Sequence, residues 1–427
     1  MTPWQRLGML MNNGMIAVRV REVRLPEWLG WVFGLGLVAA IISLYIAGDW
    51  RNADVSLYHA YALGFWGGLT HPILPTEYPP LSIVPLSLTL AGPAAWFPDV
   101  FAFWMGVIAV LGYAAFRRWT TPRQAGAYAL YVLSAGVATL LFRFDLIPAL
   151  LATGAIWLAQ RRRFARAYGI IGIATLMKLF PLVLLPVIVI AHSRAAGGDS
   201  TPPWRSIALG AGGCLAIVCA GFGVAAALDP HGWTSSLLIE TNRPLEVESV
   251  PATLLWFGSA FGFHLTAVVS FDSFNLTGAL SSAVIDFATA TLILGLMWVY
   301  WRQVRGDLTV AQAATAAVLV LLCGSKVLSS QYLLWLAPLL ATAAGFQFRW
   351  LAVFLLTALI FPGFFEVGVR PMGATFSYAP YVVAGLVARN VLLVALTVLY
   401  IRRPGIDPSE REKRPAPRER HSALQAA

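Results

Sequence analysis

Apolar runs close to the ~20 residues that a helix needs to cross a bilayer recur along this chain, at 28–47, 100–116, 206–228, 283–301 and 378–401. Inside lipid no water is present to satisfy the backbone, so each crossing must close its own hydrogen bonds. The pattern therefore predicts an all-α, polytopic membrane protein. Only 12% of the 427 residues are charged, roughly half the share of an ordinary soluble domain, which excludes a water-soluble globular enzyme. The first run follows Arg19, Arg21 and Arg24, is long enough to span, and lacks a small-residue cleavage site. It reads as a retained first helix and not as a signal peptide.

Arginines cluster between the runs, at Arg19/Arg21/Arg24, Arg117/Arg118/Arg123, Arg161/Arg162/Arg163/Arg166, Arg194/Arg205, Arg302/Arg305, Arg349 and Arg402/Arg403. The positive-inside rule assigns all of them to the cytoplasm. Spans then fall at 28–47, 100–116, 125–142, 146–159, 204–228, 281–301, 310–324, 331–346, 350–364 and 379–401, about 10 full transmembrane helices with both termini cytoplasmic. Residues 79–98 carry Pro79, Pro80, Pro85, Pro93 and Pro98 and read as a broken, re-entrant segment on the outer face. Residues 167–191 have arginines at both ends, so the chain must enter and return, with Lys178 at the tip of a helical hairpin. Residues 251–275 read as a segment along the outer face. The division expected is a cytoplasmic segment over 1–27, one transmembrane domain over 28–402, and a charged, disordered cytoplasmic tail over 403–427.

The formal net charge of +10 belongs to these orienting clusters, so no nucleic-acid partner is expected. Cys214, Cys219 and Cys323 lie within apolar runs without metal or redox spacing and read as packing residues. The informative cations are those off the cytoplasmic side: Arg51, Arg143, Lys178, Arg243, Lys326, Arg370 and Arg389. Acidic residues, Asp49, Asp54, Glu77, Asp145, Glu246 and Glu248 among them, are assigned to that same outer face.

Charge inside a membrane is costly unless it is paired or lines a wet cavity. Lys178 and Arg389 therefore either hold helices together or face a substrate. Asp54, with Tyr58 one turn on, stands opposite Glu77-Tyr78-Pro79-Pro80; it is either a helix cap or a general base at the water boundary. Arg143-Phe144-Asp145 reads as a rim ion pair or part of a site. Arg243 with Glu246 and Glu248, and Lys326 with Gln331 and Tyr332, read as solvated loop or as donors to an anionic headgroup and a polyol. His59 and His71 accompany Asp54 and Glu77, but the spacing matches no metal motif, and no metal cofactor is expected.

In order, Asp54 with Tyr58, Tyr78-Pro79-Pro80, Arg143-Phe144-Asp145 with Pro148, Lys178 with Pro181, Arg243 with Glu248-Ser249, and Gln331-Tyr332 with Trp335 resemble glycosyltransferase family 87 over approximately residues 28–402. Ser329-Ser330 departs from the Ser-Pro pair that the family pattern places before Gln331. The resemblance implies the C-type membrane glycosyltransferase fold and a polyprenyl-phosphate sugar donor with mannose as the default hexose. It also implies an acidic residue of the first outer loop, here Asp54, that activates the acceptor hydroxyl. A hexosyltransferase of the inner membrane acting on a lipid-linked or cell-envelope glycan acceptor follows. Tyr58, Glu77, Tyr78, Arg143, Asp145, Lys178, Arg243, Glu248, Lys326, Gln331, Tyr332 and Arg389 are its expected substrate-binding residues. The competing reading is a transporter or lipid-glycan flippase, since membrane arginines and broken hairpins also mark substrate pathways.

Overall fold

The structure, a computed structural model, describes residues 53–67, 72–195, 203–230, 232–271, 273–373 and 375–402. The expected first crossing at 28–47, the segment 1–27, the tail 403–427, and Asp49, Arg51 and His71 lie outside the described residues.

Helix α1 (Ala53–Gly67) is followed by three short helical pieces over Pro80–Leu90, within which Pro80 and Pro85 interrupt the run as the sequence implies. Next come α2 (Phe97–Trp119), α3 (Pro122–Ser134), α4 (Val137–Leu141), α5 (Leu146–Gln160), α6 (Phe164–Met177), α7 (Leu185–Arg194) and α8 (Trp204–Leu228). The second half holds α9 (Ser235–Asn242), β1 (Leu245–Glu246), α10 (Val250–Ala260), β2 (Leu265–Ser270), β3 (Ser273–Gly278), α11 (Ser281–Arg305), α12 (Val310–Gly324), α13 (Leu333–Ala344), α14 (Phe348–Ala358), β4 (Val369–Met372), β5 (Thr375–Tyr378) and α15 (Pro380–Arg402).

Five stretches among the described residues are long and apolar enough to cross a membrane: Ala94–Trp119, Trp204–Leu228, Ser281–Arg305, Phe348–Gly368 and Pro380–Arg402. Among the described residues, helices of that length do not reach the expected count of about ten. The span expected at 125–142 breaks into α3 and α4 at Gly136, whose φ of 87° a side chain rarely adopts. The spans expected at 146–159 and 310–324 are shorter apolar helices.

The all-α expectation needs correction. The segments 245–278 and 369–378 carry a five-stranded antiparallel sheet of order β1-β3-β2-β5-β4. Its longest ladder pairs 265–270 with 273–278, mostly within 251–275, the region expected to lie along the outer face. A second hydrophobic cluster, with Leu245, Leu276, Ile360, Phe365 and Leu386, packs beneath the sheet. The main core surrounds α12, α13 and α3.

Arginines lace the opposite end together. Capping boxes at Thr121 with Gln124 and Thr309 with Gln312 start α3 and α12 directly after arginine-bearing turns. Arg162 donates to the Ala195 carbonyl at 3.2 Å, so the two ends of the 167–191 hairpin meet. Arg194 donates to the Gln303 carbonyl at 2.7 Å, and Arg302 donates to the Ile401 carbonyl. Helix α11, of 25 residues, separates this arginine end from the sheet by roughly 37 Å at 1.5 Å per residue.

Candidate active site

Two clusters of ionisable groups form between the helix ends and the sheet. The first starts at α1, which holds Asp54 in its first turn, where the helix dipole favours a carboxylate. Asp54 forms an ion pair with Arg143. One turn on, the Tyr58 ring is buried against Tyr78 (5.9 Å between centroids), Phe144 (5.7 Å) and Phe101 (5.4 Å).

Arg143 and Asp145 sit in the turn between α4 and α5 and reach different partners. Asp145 is fully buried and pairs with Lys178 Nζ at 3.1 Å. Its Oδ1 also accepts from the Trp335 indole N–H at 2.7 Å. Lys178 stands at the extended break between α6 and the turn Phe180–Leu184, as its place at the hairpin tip implies. Its ammonium lies 4.8 Å from the Tyr78 ring, 4.9 Å from Phe144, 5.5 Å from Tyr332 and 5.8 Å from Trp335. A carboxylate and four aromatic faces thus compensate a charge that burial would otherwise penalise.

The second cluster is organised by Glu246, on the edge strand β1. Its N–H donates to the Lys326 carbonyl at 2.9 Å. Its carboxylate accepts from the Leu328 N–H (2.8 Å), the Ser329 hydroxyl (2.5 Å) and Arg243 (3.2 Å). Two residues on, the Glu248 carbonyl accepts from Arg389 at 2.6 Å and from Asn390 at 3.2 Å. Arg389, fully buried in α15, also lies 3.7 Å from the Glu248 carboxylate. Asn390 donates further to the Ser249 carbonyl and to Thr253 Oγ1, at 3.0 and 2.8 Å. This pair fixes the turn that carries Glu248.

Arg143 belongs to the first cluster and feels the charge of the second. Burial pulls its guanidinium down to about 10, while Asp145, Glu248, Glu246 and Tyr332 act in the opposite direction. Burial likewise pushes the Glu248 carboxyl above the ordinary carboxylate range; Arg389 and Arg143 pull it back and Glu246 adds to the rise.

The remaining expected residues lie around these clusters. Glu77 accepts from Tyr61 at 2.5 Å and from Thr76 at 2.9 Å, facing α1. The Lys326 ammonium donates to the Thr241 carbonyl at 2.8 Å. Gln331 is half-buried in the turn Ser330–Tyr332, and Tyr332 stacks on Trp335 at 3.9 Å. Glu246 as an organising acid and Asn390 as a clamp went unread in the sequence. For Asn390 the available signal was its place beside Arg389 within an apolar run. Asn275 is buried and donates to the Ser270 carbonyl at 2.6 Å, a bond within the hairpin. His59 stacks on Phe97 at 4.3 Å. Among the described residues no three His, Cys, Asp or Glu side chains gather to hold a metal.

A groove of about 630 Å³ runs beside the second cluster between α10, α11, α12 and α15. Val250, Leu254, Phe257, Phe287, Trp298 and Val394 line it, and Thr253 and Asn390 bring polar groups to its wall.

No curated protein matches this chain. Among solved structures, ArnT from Cupriavidus metallidurans in the apo state aligns over 87% of this chain and 76% of its own, with 14% identity and a TM-score of 0.42. The model of glycosyltransferase family 87 matches residues 76–330, which includes Tyr78, the Arg143-to-Asp145 turn, Lys178, Arg243, Glu246 and Glu248; Asp54, Tyr58 and Arg389 fall outside the match. With more than half of its length matched, and with helices long and apolar enough to cross a bilayer, this chain belongs to glycosyltransferase family 87 and is a membrane glycosyltransferase.

Proposed function

We propose that this enzyme moves a hexose, with mannose as the default of the resemblance, from a polyprenyl-phosphate donor to a hydroxyl of a lipid-linked or cell-envelope glycan. Transfer takes place at the outer face of the inner membrane, with both termini in the cytoplasm, and inverts the anomeric carbon. The observation that carries this reading is the arrangement around Arg143. A carboxylate that can act as base touches a guanidinium that also lies in the field of Glu246 and Glu248, on the sheet side of the bundle.

The acceptor oxygen forms a new bond to the anomeric carbon as the bond from that carbon to the phosphate oxygen breaks. The leaving phosphate keeps the electron pair and departs as lipid phosphate, an anion stable enough to need no proton. Asp54 takes the acceptor proton. Arg143, Arg243 and Lys326 are the cations assigned to the phosphate charge that develops. An arriving phosphodiester offers Arg143 a second anion and releases Asp54 to act as base. Asp145, Lys178 and Arg389 are buried within their ion pairs and serve to position, the first two holding Tyr78, Phe144 and Tyr332, the last holding the Glu248 turn. The apolar groove beside that turn supports a donor with a long hydrocarbon tail. No second carboxylate is required as a nucleophile, and no metal enters the step.

The test is to reconstitute the full chain in liposomes with polyprenyl-phosphate mannose and a lipid-linked glycan acceptor. Formation of a mannosylated acceptor is expected. Movement of unreacted donor between leaflets without any product would instead establish the flippase reading.

A further inference from the structure

A second cavity, of about 790 Å³, opens at the arginine end between α6, α7 and α8. Its lining sorts by polarity. Arg162, Trp204, Arg205 and Ser206 are exposed there. Buried His192 stands behind them, stacked on Phe164 at 4.1 Å, with its two ring nitrogens 3.4 Å from the Tyr168 and Ser206 hydroxyls. Among the described residues that line it there is no carboxylate.

The far wall is apolar, with Leu209, Gly213, Cys214 and Ile217 of α8 facing Gly169 of α6. A Cβ at Gly169 or Gly213 would meet nothing within 4 Å, so the trough between these helices is open. Only 17% of the apolar stretch of α8 is buried inside the protein, so its outer face is available to lipid. Two guanidiniums at the membrane boundary above an apolar trough match a phosphate headgroup with an acyl chain beneath it.

We propose that this cavity binds one anionic phospholipid from the leaflet on the arginine side. Arg162 and Arg205 hold the phosphate, Ser206 donates to it, and an acyl chain lies along Gly169, Gly213 and Ile217. Bound there, the lipid fills the opening between the hairpin α6–α7 and α8 on the arginine side. The site requires nothing of the sugar-transfer chemistry and stands apart from it.

The full chain in detergent, titrated with phosphatidylglycerol or phosphatidylcholine and read by native mass spectrometry, tests the proposal. Wild type should retain one phosphatidylglycerol in preference to phosphatidylcholine. The double variant R162Q/R205Q should bind phosphatidylglycerol roughly 30-fold more weakly, from about fivefold per arginine beside an anionic lipid. Gly213→Leu, which fills the trough and leaves the charges alone, should lower phospholipid retention as well. Equal retention of phosphatidylglycerol by wild type and the double variant would overturn the site. Complete displacement of the lipid by inorganic phosphate, together with no effect of Gly213→Leu, would overturn the lipid as occupant and leave a free-phosphate site.

Discussion

At the scale of single residues, two buried arrangements differ in what they tolerate. Asp145 is fully buried and Lys178 nearly so, and removing one partner of such a pair costs about 3–5 kcal/mol because the other charge is left uncompensated. Asp145→Leu should therefore destabilise strongly. The double change of Asp145→Leu with Lys178→Met should cost less than the single one, a non-additivity measurable by denaturation of the purified variants. Equal destabilisation in the single and double variants would contradict the pairing. Sequence made Lys178 conspicuous because a lone cation within an apolar run demands compensation. It left the compensation open, since Tyr78, the adjacent Phe144 and Asp145, and Trp335 come from three separate stretches of chain. Glu246 was harder still: its carboxylate serves Leu328 and Ser329, residues 82 and 83 positions away, and a solvated loop acid reads the same in sequence.

At the scale of elements, the hairpin 167–191 and the broken Pro80–Leu90 segment were legible because arginine placement and proline content each have a direct structural consequence. The sheet was not. Its strands run from two to six residues, and within an apolar stretch such short strands lack the polar alternation that separates strand from helix. The sheet nevertheless matters, because β1 carries Glu246 and leads into the Glu248 turn. Glu246→Ala removes the acceptor that holds the 328–329 backbone and Arg243 together. Acting through those groups, it should raise the donor KM by about tenfold, one hydrogen bond to a charged group or roughly 1.4 kcal/mol. The kcat should stay nearly unchanged. A steady-state assay over donor concentration separates this from a loss of fold, which would lower the amount of active enzyme and leave KM in place.

For the whole molecule, the sheet and the laced arginines define two ends of one bundle, and the proposed orientation puts the sheet outside. In a background with Cys214, Cys219 and Cys323 replaced, a cysteine at Phe261, a residue 83% exposed beside the sheet, should react with an impermeant thiol reagent on intact cells. A cysteine at Arg166 should react only after lysis, and the reverse pattern would invert the orientation. The positive-inside pattern made the two ends legible, but how the site assembles depended on contacts between helices that no spacing encodes. The most direct measurement concerns the one carboxylate assigned to chemistry. Transfer from a polyprenyl-phosphate hexose donor should be compared between wild type and Asp54→Asn, a substitution of nearly equal shape that cannot take a proton at the acceptor. The rate in the variant should fall by about 100-fold or more at matched amounts of folded enzyme, with donor binding retained. An unchanged rate would show that the acceptor proton goes elsewhere and that the cluster around Arg143 is not where the sugar is transferred.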